Sequence, residues 1–245
     1  MKKILALIVL TVLLVSLNGC MIVALDGMGG NAVHGTGDKI TRDFAVDSFT
    51  GVDIAGGYVI VYRQAQESSV TVHMQENLFN YLNTHVVNGE LRIFSDRNFR
   101  TTSENTPRIY VYSPYLNHIN VSGSATFENW DTVRASSLDV SIGGAAAGAM
   151  HLEVDSVTIS LAGAASLDLT GTADTARITV AGAGEVDAGG LQTRTAWVDI
   201  AGTGNIEIAV SDNLDATISG AGTVWYVGNP QVNRSVAGIG RVQQR

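Results

Sequence analysis

The sequence predicts an all-β fold: a parallel β-solenoid, right-handed and β-helix-like, of about seven rungs of 18–21 residues, with an irregular β N-terminal capping region. Three observations predict it. A phrase of alternating apolar residues followed by small-Gly-small recurs seven times, as INVSGSA, VSIGGAA, ISLAGAA, ITVAGAG, VDIAGTG, ATISGAG and RSVAGIG. Its central glycines are Gly123, Gly144, Gly163, Gly182, Gly202, Gly220 and Gly238, and a near-constant period of that size marks stacked supersecondary units. The composition, with 27 glycines, 3 prolines and 16% charged residues, suits strands and turns rather than helices.

Offsets from each glycine define the rung. Two residues before it stand Val121, Ile142, Leu161, Val180, Ile200, Ile218 and Val236; four after it stand Phe127, Gly148, Leu167, Val186, Ile206, Val224 and Val242. Apolar residues recurring with period two describe strands half-buried on one face. About 19 residues hold two strands of five or six residues and two turns. Each strand would then pair in parallel with its equivalent one rung away. The small residues mark a tight corner where rungs approach closely. An antiparallel β-sandwich is the alternative, because strands of even spacing suit it too.

Taken in order, residues 1–19 read as a lipoprotein signal peptide: Lys2 and Lys3, an apolar run from Ile4 to Val15, then Leu17-Asn18-Gly19 before Cys20. The run is shorter than the roughly 20 residues a membrane span needs. Cys20 is the only cysteine, so it is the candidate lipidation site (palmitate and related acyl groups) and no internal disulfide can form. An ordinary secretory signal with an incidental cysteine is the alternative. Residues 20–42, glycine-rich and without apolar periodicity, read as a tether holding the rest off a membrane. Met21, where an inner-membrane lipoprotein would carry Asp, points to the outer membrane.

Residues 43–115 form the irregular β region and residues 116–245 the repeat array, together one domain. Within the first, Val52-Asp53-Ile54-Ala55-Gly56 is one more copy of the phrase, displaced upstream of the array. Asn88-Gly89 between two apolar runs is a hairpin signal. Gln75 to Asn83 is a candidate short helix. Ser113-Pro114 closes the last strand. The region is expected to cap the open end of the array, which a solenoid needs to stay soluble.

At these residues the chain resembles the putative auto-transporter adhesin head GIN domain family. The resemblance rests on Phe49-Thr50-Gly51-Val52-Asp53-Ile54, on Pro114-Tyr115-Leu116 leading into the first phrase, and on the closing Gly220 to Pro230 segment. It covers roughly Phe44 to Val242. It implies a secreted or lipid-anchored β-solenoid with adhesion as its role, and it supplies no catalytic residues.

Chemistry is sparse. The Gly-x-Gly triplets lack the third glycine and the following helix that a dinucleotide site requires. His34, His73, His85, His118 and His151 show no zinc-site spacing. No nucleophile elbow is present. The formal charge of −8 leaves no basic face for nucleic acid. Five residues after the glycine the column reads Glu128, Ala149, Asp168, Asp187, Glu207, Trp225. With Glu185 and Asp199 near it, this column is a candidate Ca²⁺ site bridging Asp187 and Glu207, against a solvated acidic edge as the alternative. Trp197 and the pair Trp225-Tyr226 are candidate ligand contacts, as a stacking platform for a sugar. Arg92, Arg97, Arg100 and Arg108 cluster around the hairpin, where they meet an acidic glycan or form salt bridges.

The leading expectation is a non-enzymatic, lipid-anchored protein of the cell envelope, held to the membrane through Cys20. It would bind or display to an extracellular polymer, glycan or protein partner. The alternatives are a polysaccharide-processing β-helix enzyme of the lyase type and a periplasm-facing accessory or scaffold lipoprotein.

Overall fold

At the corner of every rung the backbone of one copy lies against the backbone of the next. A Cβ on Gly163 would stand 1.8 Å from the carbonyl oxygen of Gly144, and one on Gly220 1.9 Å from that of Gly202. No other residue fits there. The ladder runs through these corners, with the Ala164 and Ala183 amides donating to the Gly144 and Gly163 carbonyls at 2.9 Å. The computed structural model describes residues 32–128 and 131–245. The expected signal peptide, the expected lipidation site Cys20 and the expected tether up to residue 31 lie outside the described residues.

The N-terminal half contains β1 (Val33–His34), β2 (Lys39–Phe44), β3 (Gly51–Ala55), β4 (Gly57–Gln64), β5 (Ser69–Gln75), β6 (Leu82–Val87), β7 (Glu90–Ser95), β8 (Phe99–Arg100) and β9 (Arg108–Ser113). The array follows as β10 (His118–Val121), β11 (Ser124–Phe127), β12 (Val133–Ile142), β13 (Ala145–Leu161), β14 (Ala164–Val180), β15 (Ala183–Ile200), β16 (Thr203–Ile218), β17 (Ala221–Val227), β18 (Gln231–Val236) and β19 (Ile239–Gln244). Pairing within the array is parallel and in register, Ile159 with Ile178, Ile178 with Val198 and Val198 with Ala216. The solenoid is therefore the fold, and the sandwich is not.

Two strands and two turns per rung were expected. Instead β13 to β16 run 16 to 18 residues between glycine corners. The remaining bends keep their pairing. Some are local irregularities, between Asp168 and Thr170 or Ala188 and Gln192 opposite the next strand. At another, Gly171 turns with φ 106, the Leu152 carbonyl 2.0 Å from where its Cβ would be. The inward columns are fully buried through most of the array, at Val121, Ile142, Leu161, Val180, Ile200 and Ile218 before the corner and Leu167, Val186, Ile206 and Val224 after it, whereas Val236 on the last rung is exposed. Each such side chain contributes about 1.5–3 kcal/mol on burial.

The stack does not begin at residue 116. The displaced phrase is a rung: β3 pairs in parallel with β10, Val52 opposite Ile119 and Ile54 opposite Val121, and β4 pairs with β11. Before it lies one more layer, β7 on β3 and β9 on β4, whose corner is replaced by the excursion of residues 96–107. Capping proper is antiparallel. β6 covers β7 through the Asn88-Gly89 turn, β5 covers β9, and β2 covers β5. The helix expected over 75–83 is a 3₁₀ segment, Glu76–Tyr81, burying Leu78 and Phe79.

The tether expected to reach residue 42 ends earlier. Val33–His34 pairs with Phe99–Arg100, the Asn77 side chain accepts from the Thr36 amide and donates to the His34 carbonyl, and the Lys39 ammonium donates to the Glu104 carbonyl. From Val33 onward the chain is stitched to the cap, because its backbone groups find strand and side-chain partners there. At the other end Ile239 is 85% exposed and Val236 42%.

Candidate binding surface

With the inward columns filled, chemistry is left to the outward ones. The column five residues after the corner forms as expected: Ala149, Asp168, Asp187, Glu207, Trp225 and Gln243 stand in register on successive rungs. Neighbours in such a column are roughly 4.8 Å apart. Glu185, Asp187, Asn205, Glu207, Trp225 and Arg245 line a groove of about 450 Å³. The Arg245 guanidinium donates to the Glu207 carboxylate, and Asp187 accepts from the Gly189 amide at 3.0 Å.

Asp199 is elsewhere. It sits before the corner, in register with Thr179 and Thr217, in a column different from that of Asp187 and Glu207. The four carboxylates considered for Ca²⁺ are thus three in one groove and one apart. Among the described residues no three His, Cys, Asp or Glu side chains are close enough to hold a metal ion.

The aromatic candidates also separate. Trp197 stands before the corner, half-buried, between Arg177 and Asp215 on the adjacent rungs. The Arg177 guanidinium lies 4.9 Å from its ring centroid, a cation–π contact. Trp225 lies in the acidic groove, while Tyr226 packs against the core. Successive strand residues face opposite sides, so the two rings do not make one platform. Of the arginines, Arg108 pairs with Glu128 at 2.6 Å and Arg100 lies in β8. The histidines are dispersed: His73 contacts Thr41, His118 contacts Glu90 and His151 contacts Thr170.

A second cleft, of about 1130 Å³, lies at the first corners, where the excursion of residues 96–107 stands beside Gly56–Tyr58. Sequence reasoning had assigned it no residue except Arg100. The signal that could have found it is Tyr58, which occupies a position held by Ala125, Ala146, Ala165 and Gly184 on later rungs. Tyr58 is 2% exposed. Burial holds its phenol above the ordinary range, with Ser95 offsetting the shift. Burial likewise raises Tyr62, offset by Ser113 and reinforced by Asp131.

A rigid stack with an invariant interior and varied outward columns defines a surface-bearing β-solenoid. Residues 48–230 match the family described as putative auto-transporter adhesin, head GIN domain (DUF2807), and the chain belongs to that family. Among solved structures it is similar to a putative adhesin from Bacteroides fragilis, 24% identical over 87% of this chain and 100% of that one, with a TM-score of 0.80. A putative lipid binding protein from Parabacteroides distasonis is also 24% identical, over 87% and 99%, with a TM-score of 0.66. A putative adhesin from Parabacteroides merdae is 21% identical over 88% and 100%, with a TM-score of 0.63. At these identities the likeness is one of fold. No curated protein matches the chain.

Proposed function

We propose that this chain is a lipid-anchored protein of the cell envelope that binds or displays without catalysis. The observation that carries this reading is the division of labour in the rungs. Inward columns repeat Ile, Val, Leu and Ala, whereas outward ones change from Ala149 through Asp168, Asp187 and Glu207 to Trp225. A stiff stack with such a face suits many weak contacts to a polymer, glycan or protein. Family membership supports an adhesin role. Val33 joins the fold beside β8, at the end of the stack opposite β18 and β19. A tether from an acylated Cys20 would therefore enter at one end and leave the other directed away from the membrane. Met21 favours the outer membrane.

Protease accessibility on intact cells tests the reading. Added proteinase K is expected to degrade the protein, and Cys20→Ala is expected to abolish palmitate labelling and release the chain into the soluble fraction. Protection until the outer membrane is opened would place the protein inside and end the adhesin reading in favour of a periplasm-facing accessory lipoprotein.

A further inference from the structure

The cleft at the first corners combines a shelf and a wall that carry hydroxyl groups. Its floor is made by the corners of three successive rungs, all with small residues: Gly57, Ser124 and Thr126, Ala145 and Ala147. Its wall is the segment Asn98–Thr101 with Thr106. That wall is fixed, because the Val33 amide donates to the Asn98 carbonyl at 2.8 Å and the Gly35 amide to the Arg100 carbonyl at 3.0 Å. The site is thus organised before any ligand arrives.

We infer that this cleft binds carbohydrate, a hydroxyl-rich chain laid across the first corners. The inference rests on the binding reading proposed above and gives it a place and a ligand class. Between small alanines and glycines, the lining presents hydroxyl and amide groups from Ser95, Asn98, Thr101, Thr106, Ser124 and Thr126. Two aromatic rings stand among them, half-buried Phe99 and buried Tyr58. Among the described residues no carboxylate lines the cleft, although the chain carries a formal charge of −8, and Arg100 is the one charged residue among them that does. The tip of the Tyr58 ring lies 2.5 Å from where a Gly56 Cβ would be, and both residues line the cleft. The Tyr58 hydroxyl itself is buried, with the Ser95 side chain as its neighbour.

Other occupants fit less well. An extended peptide recognised by added-strand pairing needs a free sheet edge. Here β11 is already paired on both sides, with β4 and with β13. An acyl chain needs an enclosed apolar cavity, whereas this cleft is open and, among the described residues, only Phe99 and Tyr58 bring large side chains of apolar body to it.

The test is amide-resonance titration of the full purified chain with maltohexaose, cellohexaose, chitohexaose and mannohexaose. At least one is expected to shift the resonances of residues 98–106 and 124–126. Ala147→Trp places a bulky outward side chain on the shelf and is expected to abolish those shifts, as is Ser124→Tyr, an independent block at an exposed position. Thr126→Val, which removes an exposed lining hydroxyl, is expected to weaken binding roughly tenfold, and Asp155→Asn, at an exposed position outside the cleft, to leave it unchanged. No shift with any of the four sugars overturns the inference. So do shifts that survive both blocking variants. Shifts confined to the Trp225 groove overturn the cleft while leaving the broader binding reading standing.

Discussion

Gly163 shows how a single atom controls the stack. The nearest obstacle to a Cβ there is the backbone carbonyl of Gly144, which cannot rotate away as a side chain could. Gly163→Ala must push two rungs apart and is expected to cost about 3 kcal/mol, the upper range for overpacking. Gly57→Ala is the control, with nothing within 4 Å of the added atom and an expected change within about 0.5 kcal/mol. Urea unfolding of the two variants compares them; equal losses would refute the steric account. The buried tyrosines set a second residue-scale expectation. Burial raises Tyr58 and Tyr62 above their ordinary 10.0, so the unfolded chain ionises first as pH climbs. Their contribution is complete below about pH 10 and is lost as pH rises through the folded values. Melting between pH 8 and pH 11 should show that decline, and Tyr62→Phe should make it shallower even though it forfeits the bond to the Ser113 carbonyl.

Between β6 and β7 the chain reverses at Asn88, φ 54, and Gly89, φ 78. Two successive left-handed residues make a type I′ turn, the hairpin form whose twist matches its strands. A β-branched residue resists that conformation, so Asn88→Val is expected to cost about 1–2 kcal/mol and Asn88→Gly almost nothing, measured by thermal unfolding. This turn was readable because its two residues carry the signal locally. So were the inward columns of the array, where Ile159, Ile178 and Val198 repeat at one offset. The layer made by β7 and β9 was not readable. Leu91 and Ile93 alternate as in any strand, and the glycine phrase that would have marked their corner is replaced by residues 96–107. Alternation specifies a buried face but not a partner. The binding surface was legible in the same uneven way. Counting offsets gave the Asp187, Glu207, Trp225 column, but the Arg245–Glu207 pair joins residues 38 apart, and adjacency in sequence wrongly grouped Trp225 with Tyr226.

Taken as a whole, the molecule is one stack whose two ends are treated differently. At the N-terminal end β5 and β6 run antiparallel to the layer beneath them, and β2 closes over β5. The core is correspondingly continuous: Ile93, Ile54, Val121 and Ile142 follow one another down a single buried column. Cutting the chain at residue 115 would lay bare the outer edge of β10 and β11 together with Ile119, Val121 and Phe127. A parallel edge with unpaired amides and an apolar interior behind it is a template for association. The isolated array, residues 116–245, is therefore expected to aggregate or to lose its strand signal, whereas residues 32–245 should stay monomeric and unfold as a stable β protein. Light scattering and circular dichroism of the two fragments decide the matter. A soluble, monomeric 116–245 fragment with a melting temperature close to that of the longer chain would mean that the first two layers are an appendage. The opposite result ties the cleft at the first corners to the same cooperative unit as the acidic groove. Substitutions at Gly163 would then be felt in both.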